Sequence, residues 1–229
     1  SGTYPICFKH IGMQEGLSQL SVMAIYQDNL GRMWLGTEEG ISIYDGVQTK
    51  VYKPSEFHRQ NANPIGNQTH FIAGDKDGNV FFDSDQSLIR YDIQTQKFSC
   101  LRKSNVYTVA SIKGTIWVGI ADSILTWNPD KNDFDFVTRL ENRNQRATCL
   151  LEDSGGRYWI GTTDGLFRMN DDKSLTCMIM GEDIYDLYED SKYNLWISIR
   201  MNGMYKRDVH GNFTRYRYDP SNPNNISSN

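Results

Sequence analysis

The sequence lacks the features that would place it inside a membrane or in a disulfide framework. No run of ~18 apolar residues occurs, so no segment is expected to span a bilayer. Only four of the 229 residues are cysteine, and they form no C-x-x-C pair. Because Cys7, Cys100, Cys149 and Cys177 lie far apart along the chain, we expect free, partly buried thiols rather than a metal site or a dense disulfide network.

The net charge is small, and motifs of known catalytic sites are missing. The formal net charge is −4 and the pI is near 5.6, so the chain shows no electrostatic footprint for nucleic acid. The four histidines are scattered, and no G-x-S-x-G nucleophile motif occurs. Residues 75–79 (Asp-Lys-Asp-Gly-Asn) resemble the start of a calcium loop but lack the remaining ligands, including the final bidentate glutamate. We therefore expect no cofactor, no metal and no catalytic residue.

The sequence does contain a short motif that recurs five times around a large aromatic residue. One copy reads Gly156-Arg157-Tyr158-Trp159-Ile160-Gly161. Successive central aromatics lie 36–47 residues apart, and they are Trp34, Phe81, Trp117, Trp159 and Trp196. A strand-rich repeat of about 40–45 residues is typical of the blades of a β-propeller. The sequence therefore predicts an all-β propeller.

Each repeat predicts four antiparallel strands. In the first repeat, strands over 22–26, 33–35 and 41–44 precede a looser outer strand near 51–52, and a turn over 28–31 closes the first hairpin. The strand that holds the aromatic is apolar at consecutive positions, so both of its faces are expected to be buried. Stacking sheets face to face would bury both faces, and a glycine after the aromatic would let the neighbouring sheet approach closely.

The number of outer strands predicts a ring that extends beyond this chain. Six segments resemble outer strands, but only five sets of three inner strands exist to receive them. The first of them, residues 6–8, precedes any inner set, and residues 226–229 match the start of a further repeat. We expect about five blades of a larger, seven-bladed ring, with residues 1–229 forming one array at the N-terminus of a longer protein. A closed five-bladed propeller is the alternative.

Two stretches carry a pattern specific enough to indicate a family. Residues 20–41 and 151–166 each contain an acidic-Gly turn, a strand of the form [ILMY]-W-[IL]-G-T and a Gly-apolar step. This pattern resembles the two-component-regulator propeller repeat, which is found in the N-terminal sensor region of hybrid two-component histidine kinases. The second repeat, with Phe82-Asp83, and the fifth, with Ser198-Ile199, depart from the pattern.

The resemblance implies a function that the residues alone do not show. It implies a non-catalytic, periplasmic sensor module that binds an oligosaccharide or another glycan-derived small molecule and thereby regulates polysaccharide utilisation. It also implies a homodimer in the full-length sensor, whose membrane helix, kinase and DNA-binding parts are outside this sequence. Contact with the membrane would be made only by those parts.

Candidate binding residues gather at the rim where the second and third strands of each repeat are joined. Acidic residues mark those turns, and two irregular inserts, 54–64 and 141–146, fall on the same rim because each joins an outer strand to the next inner strand. Planar polar side chains beside an apolar surface suit sugar recognition. Asp83 also lies at a turn and is expected to be solvated. We expect ligand contacts from Glu39, His58, Arg59, Asp85, Asp122, Arg143, Arg146, Asp164 and Arg200.

Two other classes of function stay open at this point. Carboxylates at such a rim can act as an acid/base pair, so a propeller glycosidase or lyase acting on a glycan is one alternative. The other is a protein–protein interaction or dimerisation scaffold. Turnover that disappears when Asp122 or Asp164 is neutralised would favour the enzyme, and association of copies would favour the scaffold.

Overall fold

The computed structural model describes residue 16, residues 21–53 and residues 65–217. These residues form strands and turns, and they contain no helix that is long and apolar enough to cross a membrane. Two compact units make up the chain. The first extends to Ile72 and includes Gly78–Arg102, and the second comprises Ala73–Asp77 and the chain from Lys103 onward.

Within the described residues, the strands form five antiparallel sheets of four strands, termed blades 1 to 5, in each of which the strands follow chain order. Blade 1 consists of β1 (Val22–Gln27), β2 (Met33–Thr37), β3 (Gly40–Tyr44) and β4 (Thr49–Tyr52). Blade 2 consists of β5 (Ile72–Gly74), β6 (Val80–Asp83), β7 (Leu88–Asp92) and β8 (Lys97–Arg102). Blade 3 consists of β9 (Val106–Ile112), β10 (Thr115–Ile120), β11 (Ser123–Asn128) and β12 (Asp133–Arg139). Blade 4 consists of β13 (Ala147–Glu152), β14 (Tyr158–Thr162), β15 (Gly165–Met169) and β16 (Leu175–Met180). Blade 5 consists of β17 (Ile184–Glu189), β18 (Leu195–Ile199), β19 (Met204–Arg207) and β20 (Phe213–Tyr216).

The five four-stranded blades confirm the fold class expected from the repeats. The five sets of inner strands and the outer strands that follow them lie where the sequence places them, within a few residues. The additional outer strand expected at residues 6–8 and the further repeat expected to start at 226–229 lie outside the described residues. The larger, seven-bladed ring and the single array over 1–229 therefore stay predictions.

The first hairpin of blade 4 shows why an acidic residue and a glycine stand at these turns. The backbone N–H of Asp153 donates to the carbonyl of Arg157 at 2.9 Å, and Gly156 has a φ of 77°, in the left-handed region that favours glycine. Blade 5 uses the same turn but places Tyr193 at the equivalent position, with a φ of 64°. A bulky residue in this region is strained.

In the first unit, the central tryptophan of blade 1 is buried against blade 2. Trp34 is completely buried, and its ring centroid lies 5.0 Å from that of Tyr91 and 6.3 Å from that of Phe82. A Cβ added to Gly36 would meet the backbone oxygen of Thr69 at 2.7 Å. The small residue after the tryptophan therefore permits close packing, as the repeat predicts.

The second unit repeats this packing between consecutive blades. Trp117 of blade 3 stacks on Tyr158 of blade 4 with their ring centroids 5.0 Å apart. Trp159 of blade 4 lies in a buried cluster with apolar residues of blade 5, including Ile184 and Leu195. A Cβ added to Gly161 would meet Ile184 Cγ2 at 2.7 Å. The face that carries the tryptophan is thus covered by the blade that follows.

Blade 5 departs from the expectation that both faces of every central strand are buried. In β18, Leu195, Ile197 and Ile199 are buried, whereas Trp196 and Ser198 on the other face are only partly buried. The expectation is wrong for this strand because, within the described part of the chain, no sheet follows blade 5 to cover its tryptophan face.

The cysteines follow the sequence prediction in part. Cys100, Cys149 and Cys177 are free thiols, and Cys7 lies outside the described residues. Cys149 is buried, and burial raises its pKa to about 12. Cys177 is exposed rather than partly buried, because it lies on the outer strand β16.

Candidate functional site

Each blade has two ends with different chemistry. The chain enters the first strand at one end, where the turn between the second and third strands also lies; we term this the mouth end. The first–second and third–fourth hairpins lie at the opposite end, termed the hairpin end. In blade 4, for example, Ala147 of β13 lies opposite Thr162, next to the turn into β15, whereas Glu152 lies opposite Tyr158. The insert at 141–146 leads into β13 and so lies at the mouth end, as expected.

The candidate carboxylates of the first unit already form an ion pair or hydrogen bonds with neighbouring residues of the chain. Glu39 Oε2 lies 3.1 Å from Lys53 Nζ in an exposed ion pair. Asp85 accepts hydrogen bonds from the backbone N–H groups of Asn67 at 2.8 Å and Gln68 at 3.1 Å. Asp85 therefore holds the segment that leads into blade 2. The candidates His58 and Arg59 lie outside the described residues.

Asp83 is buried, so the expectation of a solvated turn carboxylate is wrong. Only 3% of the residue is exposed. Its Oδ1 accepts hydrogen bonds from the backbone N–H groups of His70 and Phe71, both at 2.7 Å, and its Oδ2 lies 3.0 Å from His70 Nδ1. Burial raises the pKa of Asp83, and the hydrogen bonds from His70 and Phe71 offset part of this increase. Asp83 takes the place of the glycine that lies two residues after the central tryptophan in blades 1 and 4.

The insert 141–146 places an arginine against an aromatic ring of the preceding blade. The guanidinium carbon of Arg146 lies 5.1 Å from the ring centroid of Tyr107 on β9. Its Nη1 donates to the carbonyl oxygens of Gln145 and Arg143, which hold the side chain in this position. Within the described part of the chain, no carboxylate lies within ion-pair distance of Arg146. Arg143 itself is exposed.

A second arginine–tyrosine pair lies at the mouth end of blade 5. The guanidinium carbon of Arg200 lies 4.9 Å from the ring centroid of Tyr185, and its Nε donates to Asp183 Oδ2 at 2.9 Å. The remaining two candidates occupy turns of blades 3 and 4. Asp122 accepts from Ser123 Oγ at 3.1 Å. The carboxylate of exposed Asp164 has no hydrogen-bond or ion-pair partner among the described residues.

Both tyrosines occupy a bulge at the start of the first strand of their blade. The strand register shifts at the second residue of β1, β9, β13 and β17, and these residues are Met23, Tyr107, Thr148 and Tyr185. A bulge reorients the side chain it carries and is common beside binding sites. In the second unit, Thr148 lies on the strand between the two tyrosines, and its Oγ1 donates to the carbonyl of Ile184 at 2.6 Å. Sequence reasoning missed Tyr107, Thr148 and Tyr185 because a register shift leaves no mark in the residue pattern.

The hairpin end carries a different arrangement, in which an aspartate accepts a hydrogen bond from the central tryptophan. Asp28 binds Trp34, Asp153 binds Trp159 and Asp190 binds Trp196, each through the indole Nε1 at 2.8 Å. The sequence contains a signal for this contact, because an aspartate lies six residues before the tryptophan in these three repeats. Among the described residues, no group of three or more His, Cys, Asp or Glu side chains is arranged to hold a metal ion.

Comparison with known families identifies the repeat. The family model of the two-component regulator propeller matches residues 16–39 and 143–164, which include β1 and β2 of blade 1 and β13 and β14 of blade 4. These segments of blades 1 and 4 match the two-component regulator propeller repeat. A stretch of 46 residues is 44% identical to part of histidine kinase P4 of Formosa agariphila and covers 20% of this chain and 3% of that protein.

Solved structures that carry the same fold include an extracellular domain of a hybrid two component system and an enzyme. The extracellular domain of a hybrid two component system of B. thetaiotaomicron superposes with a TM-score of 0.64 at 18% identity, covering 93% of this chain and 35% of that one. A virginiamycin B lyase of Staphylococcus aureus superposes with a TM-score of 0.68 at 11% identity, covering 88% of this chain and 71% of that one. At these identities the likeness establishes the β-propeller fold. The chain spans about a third of the length of this extracellular domain.

Proposed function

We propose that this chain is the non-catalytic, ligand-sensing propeller of a hybrid two-component signalling protein, located in the periplasm. The observation that supports this most directly is the presence of the two-component regulator repeat in blades 1 and 4. The similarity of one stretch to a histidine kinase and the shared fold with the extracellular domain of a hybrid two component system add to it. The membrane and kinase parts, and dimerisation of the full-length sensor, would lie outside this sequence.

The proposed ligand is a glycan breakdown product bound at the mouth end of the second unit. Sugars present hydroxyl groups around an apolar ring face, so a binding site needs both polar donors and flat surfaces. Arg146 stacked on Tyr107 and Arg200 stacked on Tyr185 offer guanidinium planes with free N–H donors. Thr148, on the intervening strand, adds a hydroxyl group. The stacking holds each arginine in place, which reduces the side-chain entropy lost on binding.

Thermal unfolding of the 229-residue chain against a panel of oligosaccharides tests this proposal. A ligand present at 100 times its Kd stabilises the folded state by about 2.7 kcal/mol, which raises the melting temperature measurably. We expect at least one oligosaccharide to produce this shift and the R146Q and R200Q variants to weaken it. The matched control is K131Q, because Lys131 lies at the hairpin end of blade 3, where it pairs with Asp135.

Three outcomes would contradict the proposal. If no oligosaccharide in the panel stabilised the chain, the proposal that the ligand is a glycan would be contradicted. Equal stabilisation of the wild type, R146Q and R200Q would place the ligand elsewhere. Association of copies that depends on concentration, without any ligand effect, would favour the interaction scaffold.

A propeller enzyme is the second candidate, favoured by one feature of the first unit. The pair His70 and Asp83 joins a partly exposed imidazole to a buried carboxylate, which is how a general base is oriented in many active sites. The fold is also shared with a lyase. Turnover of a glycan that disappears in H70A would support this candidate, and unchanged substrate after long incubation with the wild type would dismiss it.

A further inference from the structure

A cavity of about 310 Å³ lies at the hairpin end of blade 4, away from the mouth end where the glycan is proposed to bind. The turn between β13 and β14 and the hairpin between β15 and β16 form it. Its polar lining consists of Arg157, Tyr158, Arg168, Asn170, Asp171 and Lys173. Small-molecule sites usually enclose about 300–1,000 Å³, so this cavity suits a molecule of the size of one or two sugar rings.

The cations of this cavity outnumber the carboxylates available to them. Arg157 is already committed, because its Nε donates to Asp153 Oδ2 at 2.7 Å. Arg168 and Lys173 have no hydrogen-bond or ion-pair partner for their side chains within the described part of the chain. Among the described residues, Asp171 is the one carboxylate of the lining, and it is exposed. Two cationic side chains therefore border the cavity without a bound counter-charge.

A third arginine, from the neighbouring blade, adds to this positive cluster. Arg207 on β19 lies over Trp159, with its guanidinium carbon 5.3 Å from the ring centroid. Its Nε is buried and has no hydrogen-bond acceptor in the described part of the chain. Burial lowers the pKa of Arg207, and the nearby charges of Arg157 and Arg168 lower it further, against the opposing effect of Asp153. Like charges held together in this way are stabilised when an anion joins them.

We propose that this cavity binds the oxyanion of a small molecule, namely a carboxylate or sulfate group on a sugar-sized compound. Arg168 and Lys173 are the direct donors, since both border the cavity and neither side chain has a partner among the described residues. A guanidinium group binds the two oxygens of such an anion side by side, and the lysine adds a point charge. Arg207 acts through its charge rather than as a donor, because it is outside the lining of the cavity.

Galacturonate, galactose and inorganic sulfate are the probes for this site, because the two sugars differ only in the carboxylate. Binding to the 229-residue chain is measured by calorimetry at low salt, where charges are screened least. We expect galacturonate and sulfate to bind and galactose to bind at least about tenfold more weakly, the effect of one lost charge-assisted contact. We expect R168Q and K173Q each to weaken the binding of both anions by about tenfold.

The control variant is K192Q. Lys192 is exposed in the turn between β17 and β18 of blade 5 and lies outside the cavity lining. Its affinity for both anions is expected to equal that of the wild type. Three results would overturn the proposal: no binding of either anion, equal binding of the anions to R168Q and the wild type, or binding of an acidic peptide without binding of the small anions. The oligosaccharide response of R146Q and R200Q is a separate measurement, so failure here leaves the proposed function standing and the reverse also holds.

Discussion

Asp153 Oδ2 accepts a hydrogen bond of 2.8 Å from the indole Nε1 of Trp159, six residues further along the chain. The same carboxylate accepts from Arg157 Nε at 2.7 Å and from the backbone N–H groups of Gly155 and Arg157. One side chain thus joins the hairpin turn, an arginine and the buried tryptophan that packs against blade 5. Asp28 with Trp34 and Asp190 with Trp196 repeat the contact.

Removal of this carboxylate should destabilise the protein. In D153A the buried indole N–H loses its acceptor and two backbone N–H groups of the turn lose theirs, so we expect a loss of about 2–4 kcal/mol in the free energy of unfolding. Urea denaturation measures this change. In D153N an amide oxygen can still accept one of these bonds, so its loss should be smaller. Equal stability of D153A and the wild type would show that the contact contributes nothing.

The loss of unfolding free energy caused by D153N should increase as the pH rises from acid to neutral. Burial raises the pKa of Asp153, but the hydrogen bonds from Trp159 and Arg157 outweigh burial and the net pKa is lowered. A lowered folded-state pKa means that the charged form stabilises the fold above the unfolded-state pKa of about 3.9, and that this stabilisation is lost as the pH falls through the folded-state value. Urea denaturation of D153N and the wild type between about pH 2 and pH 7 tests this.

The opposite trend is expected for D83N. The pKa of Asp83 is raised, chiefly by burial, so its contribution to stability is complete below the unfolded-state pKa and is lost as the pH rises through the folded-state value. The difference in unfolding free energy between the wild type and D83N should therefore shift in favour of D83N at neutral pH. Because the two variants remove the same charge, each controls for the other. Parallel pH profiles would contradict the assignment of opposite shifts.

Truncation of the central tryptophan should have unequal effects in blades 4 and 5. Trp159 is 1% exposed and packs against the next blade, so W159A should reduce the free energy of unfolding by about 3–5 kcal/mol. Trp196 is only partly buried, so W196A should reduce it by at most about half as much. Urea denaturation distinguishes the two. Equal losses would imply that Trp196 is covered as completely as Trp159.

The hairpin of blade 5 offers a stabilising substitution. Tyr193 has a φ of 64° and the residue is 61% exposed, so it contributes strain with little packing. Glycine adopts this conformation freely, and Y193G should raise the free energy of unfolding by about 0.5–1 kcal/mol after the entropy of the added flexibility is subtracted. The reciprocal change G156A, at the equivalent position of blade 4, should lower it by about 1 kcal/mol. Destabilisation by Y193G would show that the tyrosine makes a contact worth more than its strain.

Much of the fold could be predicted from the sequence because the signals are local. Four strands and their turns fit within one repeat, and the aspartate, glycine and tryptophan that define a hairpin lie within seven residues of one another. The mouth-end location of the insert 141–146 also follows from strand alternation alone. Even the bond between Asp153 and Trp159 has a local signal, in the constant spacing of the two residues.

The candidate sites depended on contacts that no local pattern encodes. Arg146 meets Tyr107 from a different blade, and Arg207 approaches Arg157 and Arg168 across 39–50 residues of chain. Such pairs form only when sheets stack in a particular register and a bulge turns a side chain out of its strand. The residue pattern alone determined five blades and their central aromatics, because hydrophobic alternation and turn chemistry act between near neighbours. The stacking of the blades decided which charged side chains meet, because that depends on surfaces brought together only after each sheet has formed.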